Sequence, residues 1–290
     1  MKYPYYITTD ATCDLPESFY EEDFAVIPME YLLDGVLYTR ENALPFPEFY
    51  AKMRAGAMPT TSLINVATAI DFFTPILERG CDIFHISFSS ALSGSYESML
   101  EAKEELNEKF PDRKIFILDS KAASLGEGLL VYYCLKKRRE GMSFDGLIDF
   151  SEDFKNYCHH DFTVDSLLHL YRGGRVSKTA AVIGTAIHVK PVLIADTLGR
   201  LIPINKVVGR KTALKALVDK MAVKSKGYDN SEMVMIGHCD CFDDAMWVKE
   251  KIHQKFGYEN IVVGNIGPII GTHSGPGTVA LFYIGCDKEK

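Results

Sequence analysis

The chain has 290 residues, of which 47% are hydrophobic and 24% charged, enough for one large or two medium packed cores. No window approaches the roughly 18 to 20 uncharged apolar residues that span a bilayer, and the N-terminus has no apolar signal core, so a soluble cytoplasmic protein is expected. The net charge is −7, an acidic balance that argues against a dedicated nucleic-acid binder.

In chain order, residues 5–9 read as a first strand ended by the acid-bearing turn Asp10-Ala11-Thr12, and 25–38 as a hairpin around Asp34-Gly35. Helical patterns follow at 47–54 and, with Asn65 as cap, up to residue 79. Strand 82–88 leads through a serine-rich turn to helix 94–109, and strand 114–118 leads to helix 125–139. Strand and helix alternating at these lengths predict a parallel sheet covered by helices. A further helix is expected over 143–158, then a short strand 161–165, a short helix 167–172 and a break at Gly173-Gly174. Residues 191–208 read as a strand pair around Thr197-Leu198-Gly199, followed by an amphipathic helix over 211–224. Strand 233–237, helix 242–256, strand 261–265 and strand 278–284 close the chain. The expected class is α/β with two domains, 1–160 and 161–290.

The seven cysteines are scattered without paired spacing, as in a reducing compartment. Cys239 and Cys241 lie beside His238 but lack a second ligand pair, so neither a metal nor a cofactor is expected. Charge is uneven: from Arg172 to Lys226 there are twelve lysines and arginines against two acids, Asp196 and Asp219. That segment suits an acidic partner, a phosphate or an anionic membrane surface, with Arg210, Lys211 and Lys215 expected to face solvent; the alternative is a solvated helix face.

Three loops could carry chemistry. Residues 87–95, Ser-Phe-Ser-Ser-Ala-Leu-Ser-Gly-Ser, sit where a buried strand meets a helix, and unpaired N–H groups there can hold a carboxylate or phosphate. Pro59-Thr60-Thr61-Ser62 is a second hydroxyl cluster before a helix; in a parallel sheet such loops gather at one end. Both could instead merely cap their helices. Gly271-Thr272-His273-Ser274-Gly275-Pro276-Gly277 reads as a glycine-rich loop able to turn His273 inward, or as a plain tight turn. Arg172-Gly173-Gly174-Arg175 offers guanidinium groups for an anion, although a helix stop explains it equally, above all for Arg175. The phosphate-loop, dinucleotide and H-E-x-x-H patterns are absent. A serine esterase using Ser93, Asp119 and His273 is the nearest enzyme, but Ala91 breaks G-x-S-x-G.

Six blocks in order, ITTDATCDLP, PTTS, ISFSSALSGSYES, LDSKAASLGEG, LLHLYRGGRVS through IHVKPVLIADTLGRL, and IGPIIGTHSGPGTVALFY, resemble the DegV family over nearly the whole length. The resemblance implies an N-terminal α/β domain with a helix-covered parallel sheet and a smaller C-terminal α/β domain, with one long-chain fatty acid in a tunnel between them. It also implies a carrier rather than an enzyme, presenting its ligand to a separate ATP-dependent fatty acid kinase. By the same resemblance Thr61, Ser62, Ser93 and Gly94 hold the carboxylate, His273 is the histidine of the terminal motif, and Arg172 stands at the ligand mouth facing the kinase. Two departures stand out: Ala11 where the family usually has serine, and Leu63-Ile64 in place of glutamine-proline. Phe88, Leu92, Ile183, Ile187, Ile266 and Ile269 are candidate tunnel walls, although each reads first as an ordinary core residue. A phosphosugar or dihydroxyacetone module is the remaining alternative, since anion-binding loops on a parallel sheet would suit it as well.

Overall fold

The computed structural model describes residues 3–177 and 188–288. The first half runs through β1 (Tyr5–Asp10), β2 (Phe24–Ile27), β3 (Tyr31–Leu33), β4 (Val36–Tyr38), α1 (Phe46–Arg54), β5 (Thr60–Thr61) and α2 (Val66–Glu78). Regular alternation follows with β6 (Asp82–Ser87), α3 (Ser95–Lys109), β7 (Ile115–Asp119), α4 (Leu125–Arg139) and α5 (Phe144–Phe154). Strands β2, β1, β6 and β7 form a parallel sheet in that order. Side chains on a strand alternate between faces, so Ile83, Ile115 and Ile117 pack with Phe73 and Met99 of α2 and α3, while Phe84, Ile86 and Leu118 pack with α4 and α5. The expected hairpin over 25–38 is divided: β2 joins the parallel sheet, and only β3 and β4 pair around Asp34-Gly35.

The second half comprises β8 (Cys158–Thr163), α6 (Leu168–Arg172), β9 (Val189–Ala195), β10 (Leu201–Val208), α7 (Arg210–Lys224), β11 (Val234–His238), α8 (Phe242–Phe256), β12 (Ile261–Asn265), α9 (Pro268–Ser274) and β13 (Val279–Ile284). Its six-stranded mixed sheet has the order β10-β9-β8-β13-β11-β12, parallel only between β11 and β12. Leu214, Leu217, Val248 and Ile252 of α7 and α8 cover one face. The other face meets α4, whose residues from Leu125 to Leu135 are buried on nearly every side. A helix apolar all round belongs between two layers, and α4 is the layer shared by both sheets.

Further expectations need correction. The helix expected over 143–158 ends at Phe154, and the strand expected at 161–165 starts at Cys158, because β8 is paired by β9 and β13 on both edges. Residues 271–274 of the glycine-rich segment are the end of α9. Arg210 is not a free solvent-facing cation: its guanidinium bonds Asp244 at 2.8 Å and lies 3.9 Å from Asp165. Lys215 and Lys190 are paired too, with Asp219 and Asp165, whereas Lys211 is exposed. Ile183 and Ile187 lie outside the described residues. Among the described residues no helix is long and apolar enough to cross a membrane.

Candidate anion cleft and apolar cavity

The loop after β6 is fixed by backbone bonding. Phe88 N–H donates to Asp10 Oδ2 at 2.9 Å, and Ser90 donates through N–H and hydroxyl to Asp119 at 3.1 and 2.6 Å. The turn then enters α3, where Ser93 Oγ accepts from Ser95 N–H at 3.2 Å and Ser95 Oγ accepts from Ile64 N–H at 3.1 Å. The second contact pins the Thr61-Ser62 segment against the serine loop. Thr61, on β5 opposite Tyr31, places its hydroxyl 2.8 Å from Nε2 of His273, on the last turn of α9. Thr61, Ser62, Ser93, Gly94 and His273 thus line one cleft of about 150 Å³, together with Thr12 and Arg175.

The imidazole of His273 fits because residue 173 is glycine: a Cβ there would fall on Nδ1. Burial, reinforced by the positive charge of Arg175, lowers its pKa to about 4, so the ring is neutral near pH 7. Gly173→Ala is therefore expected to displace His273 and weaken anion binding about tenfold, the scale of one hydrogen bond, with the melting temperature little changed; ligand titration and thermal unfolding check both. Undiminished binding would place the ring outside the ligand's reach.

Arg175, which in sequence reads as part of a helix stop, lines the cleft. Gly174 has φ of 75°, a left-handed turn that reverses the chain and sends Arg175 inward. Its Nε donates to Leu92 O at 2.9 Å and Nη1 to Gly173 O. Arg172 stays on the exposed side of α6, with Nη1 2.7 Å from Met58 Sδ, and does not line the cleft. Behind the cleft lies a narrower, almost wholly apolar cavity of about 70 Å³, bounded among others by Leu92, Phe162, Leu201 and Ile266. Phe88, Arg175, Ile270 and His273 border both spaces. Ile269 borders the cleft but not the inner cavity.

The esterase triad is not assembled. Asp119 is engaged by Ser90 and Lys121 N–H, His273 meets Thr61, and Ser93 meets Ser95. No cluster of three or more metal-binding side chains occurs among the described residues.

The family model described as "Uncharacterised protein, DegV family" matches residues 5–285. The chain belongs to the DegV family. A DegV domain-containing protein of Clostridium perfringens, CPE0026, is 41% identical over 98% of both chains. Among solved structures, a DegV family protein from Thermus thermophilus described for fatty acid binding superposes with a TM-score of 0.84 at 26% identity, covering 97% of this chain and 99% of the other. The fatty acid kinase B3 protein of Streptococcus pneumoniae, loaded with linoleic acid, shares the fold with a TM-score of 0.85 at 19% identity, over 97% and 99% of the two chains.

The DegV blocks acquire structural reasons. Thr9 and Thr12 of the first block hold Glu127 of the LGEG block, each with its hydroxyl 2.8 Å from a carboxyl oxygen. Asp14 accepts from Ser124 Oγ at 2.6 Å and from Gly267 N–H at 2.8 Å, which ties the first loop to the start of α9. Burial raises the pKa of Asp14 to about 7. At the departures from the DegV pattern, Ala11 borders a separate cavity of about 360 Å³ rather than the cleft, Leu63 is exposed at the cleft rim, and Ile64 is buried against α2 and α3.

Proposed function

We propose that this protein binds one long-chain fatty acid between its two domains, residues 1–160 and 161–290, and presents the carboxylate to a separate ATP-dependent fatty acid kinase in the cytoplasm. The observation carrying this reading is the adjacency of the two spaces: a hydroxyl- and arginine-lined cleft shares four wall residues with an apolar cavity. Such a pair suits a molecule with one charged head and one hydrocarbon tail. Thr61, Ser62, Ser93, Gly94 and His273 take the carboxylate. Burying about 15 methylenes at roughly 0.8 kcal/mol each yields a gross term near ~12 kcal/mol before ordering costs, so a few polar contacts suffice at the head. The fatty acid binding described for the Thermus thermophilus relative supports the same ligand class.

The test is extraction of the purified protein followed by mass spectrometry. A stoichiometric long-chain acid is expected; a small phosphorylated or polar ligand in its place, or ester turnover with labelling of Ser93, overturns the reading.

The kinase step is supported by Arg172, an exposed guanidinium with no salt bridge among the described residues, three positions before the cleft-lining Arg175. Its charge acts on the phosphoryl group once the partner has docked. Arg172→Ala is expected to lower phosphorylation of the bound acid about tenfold or more with binding nearly unchanged, measured by acyl-phosphate formation and by acid titration on the same sample. Equal losses would make Arg172 a plain binding residue. Reloading from an anionic membrane is assigned to the basic segment, in which Lys211 is exposed while Arg210 is ion-paired with Asp244.

A further inference from the structure

The polar groups bordering the inner cavity are nearly all committed within the protein. Ser124 donates to Asp14, Thr278 donates to the carbonyls of Ser274 and Gly275, and Ser274 Oγ lies 3.4 Å from Cys239 Sγ. His273 has Thr61, and Arg175 has two carbonyls. His160 differs. It lies on β8 opposite Phe282, is 4% exposed, and borders the cavity, yet its Nε2 makes no hydrogen bond among the described residues. Phe282 holds the imidazole edge to face, with ring centres 5.3 Å apart. The neighbour of the unpartnered Nε2 is Gly126, where any Cβ would strike the ring edge. A bare Cα offers neither a proton nor a useful lone pair.

A buried polar group without a partner costs about 1–3 kcal/mol, and native structures retain few of them. Leucine or phenylalanine would fill this wall without that cost. Desolvation holds the imidazole pKa well below its ordinary value, so the ring is neutral, with one nitrogen that donates and one that accepts. The ring borders the cavity, and its Nε2 has no partner among the described residues.

We propose that His160 is a specificity residue for the acyl tail, selecting a long-chain acid that carries a hydroxyl group along its chain over the plain hydrocarbon acid. A hydroxyl both gives and takes a hydrogen bond and so matches a neutral imidazole, while a methylene leaves it unpaired. The proposal rests on the reading that this cavity holds the acyl tail.

The experiment titrates delipidated full-length protein with octadecanoic acid and with a set of octadecanoic acids bearing a single hydroxyl at successive positions. At one position the hydroxy acid is expected to bind on the order of tenfold more tightly than octadecanoic acid, and the preference is expected to vanish in His160→Leu and to persist in His160→Gln. If octadecanoic acid binds as well as every hydroxy acid, or if His160→Leu keeps the preference, the assignment to His160 is overturned while fatty acid binding stands. If none of the acids binds, fatty acid binding itself fails. Should the variants not fold, nitrogen NMR of the wild-type imidazole decides: a His160 shift specific to the hydroxy acid supports the proposal, and identical spectra with both acids overturn it.

Discussion

Replacing Arg175 with Met is expected to lower affinity for a long-chain fatty acid about a hundredfold, while Arg172→Ala leaves it nearly unchanged. A carboxylate entering the cleft gives up hydration, and a charge-assisted hydrogen bond returns roughly 1.5 to 3 kcal/mol. Leaving a buried anion without its counter-charge costs more than the bond alone. Arg175 is the only permanent cation bordering either space among the described residues, since the His273 imidazole is held neutral by burial. Arg172, turned outward against Met58, cannot replace it. Arg175 also joins Leu92 O to Gly173 O, so the variant must be compared with wild type in a melting curve as well as in ligand titration. A normal melt with weakened binding locates the effect in the charge. Wild-type affinity in the Met variant would mean that the hydroxyls and backbone N–H groups of the serine loop suffice for the carboxylate.

The contrast between the two arginines shows where reading from sequence stops. The Arg-Gly-Gly-Arg spacing marks an anion-binding candidate, but which arginine faces inward depends on the left-handed turn at Gly174 and on the packing of Leu170 in α6. Helix boundaries were legible where the apolar pattern is long and unbroken, as in α4 and α8, whose ends match the expected 125–139 and 242–256. Residues 271–277 read as loop because three glycines and a proline crowd the segment. Two bonds hold 271–274 helical: within α9 Thr272 Oγ1 donates to Pro268 O, and Asp14 of the first loop receives Gly267 N–H at the helix start. Nothing in the sequence marks His160, because the missing partner of a buried ring is a property of the packed structure and leaves no trace in spacing.

The threonine and acid positions of the first block show the same limit, and they yield the largest expected stability effect. Glu127 looks in sequence like an ordinary acid in the first turn of α4, favourable to the helix dipole. In the fold it is fully buried, and burial together with the nearby Asp10 raises its pKa well above the ordinary carboxyl value. Hydrogen bonding points the same way. The Thr12 hydroxyl lies between Asp10 Oδ1 and Glu127 Oε2 but has one proton to give, so a protonated Glu127 supplies the bond that Thr12 cannot. Glu127→Leu should cost about 2 to 3 kcal/mol, since the Thr9 hydroxyl is left buried without its acceptor. Glu127→Gln keeps a neutral donor and acceptor in nearly the same shape and should cost little. A carboxyl whose folded pKa is raised adds its full stability below its unfolded pKa, and loses that contribution as pH rises toward the folded value. Wild type should therefore lose stability relative to Glu127→Gln between pH 5 and pH 8, by up to about 1.4 kcal/mol for each pH unit below the folded pKa. Asp14, with its pKa raised to about 7, titrates in the same direction in both proteins. Urea unfolding at the two pH values measures the difference. Parallel stability curves, or a Gln variant as unstable as the Leu variant, would mean that Glu127 is ionised in the fold and that its charge holds the two threonines.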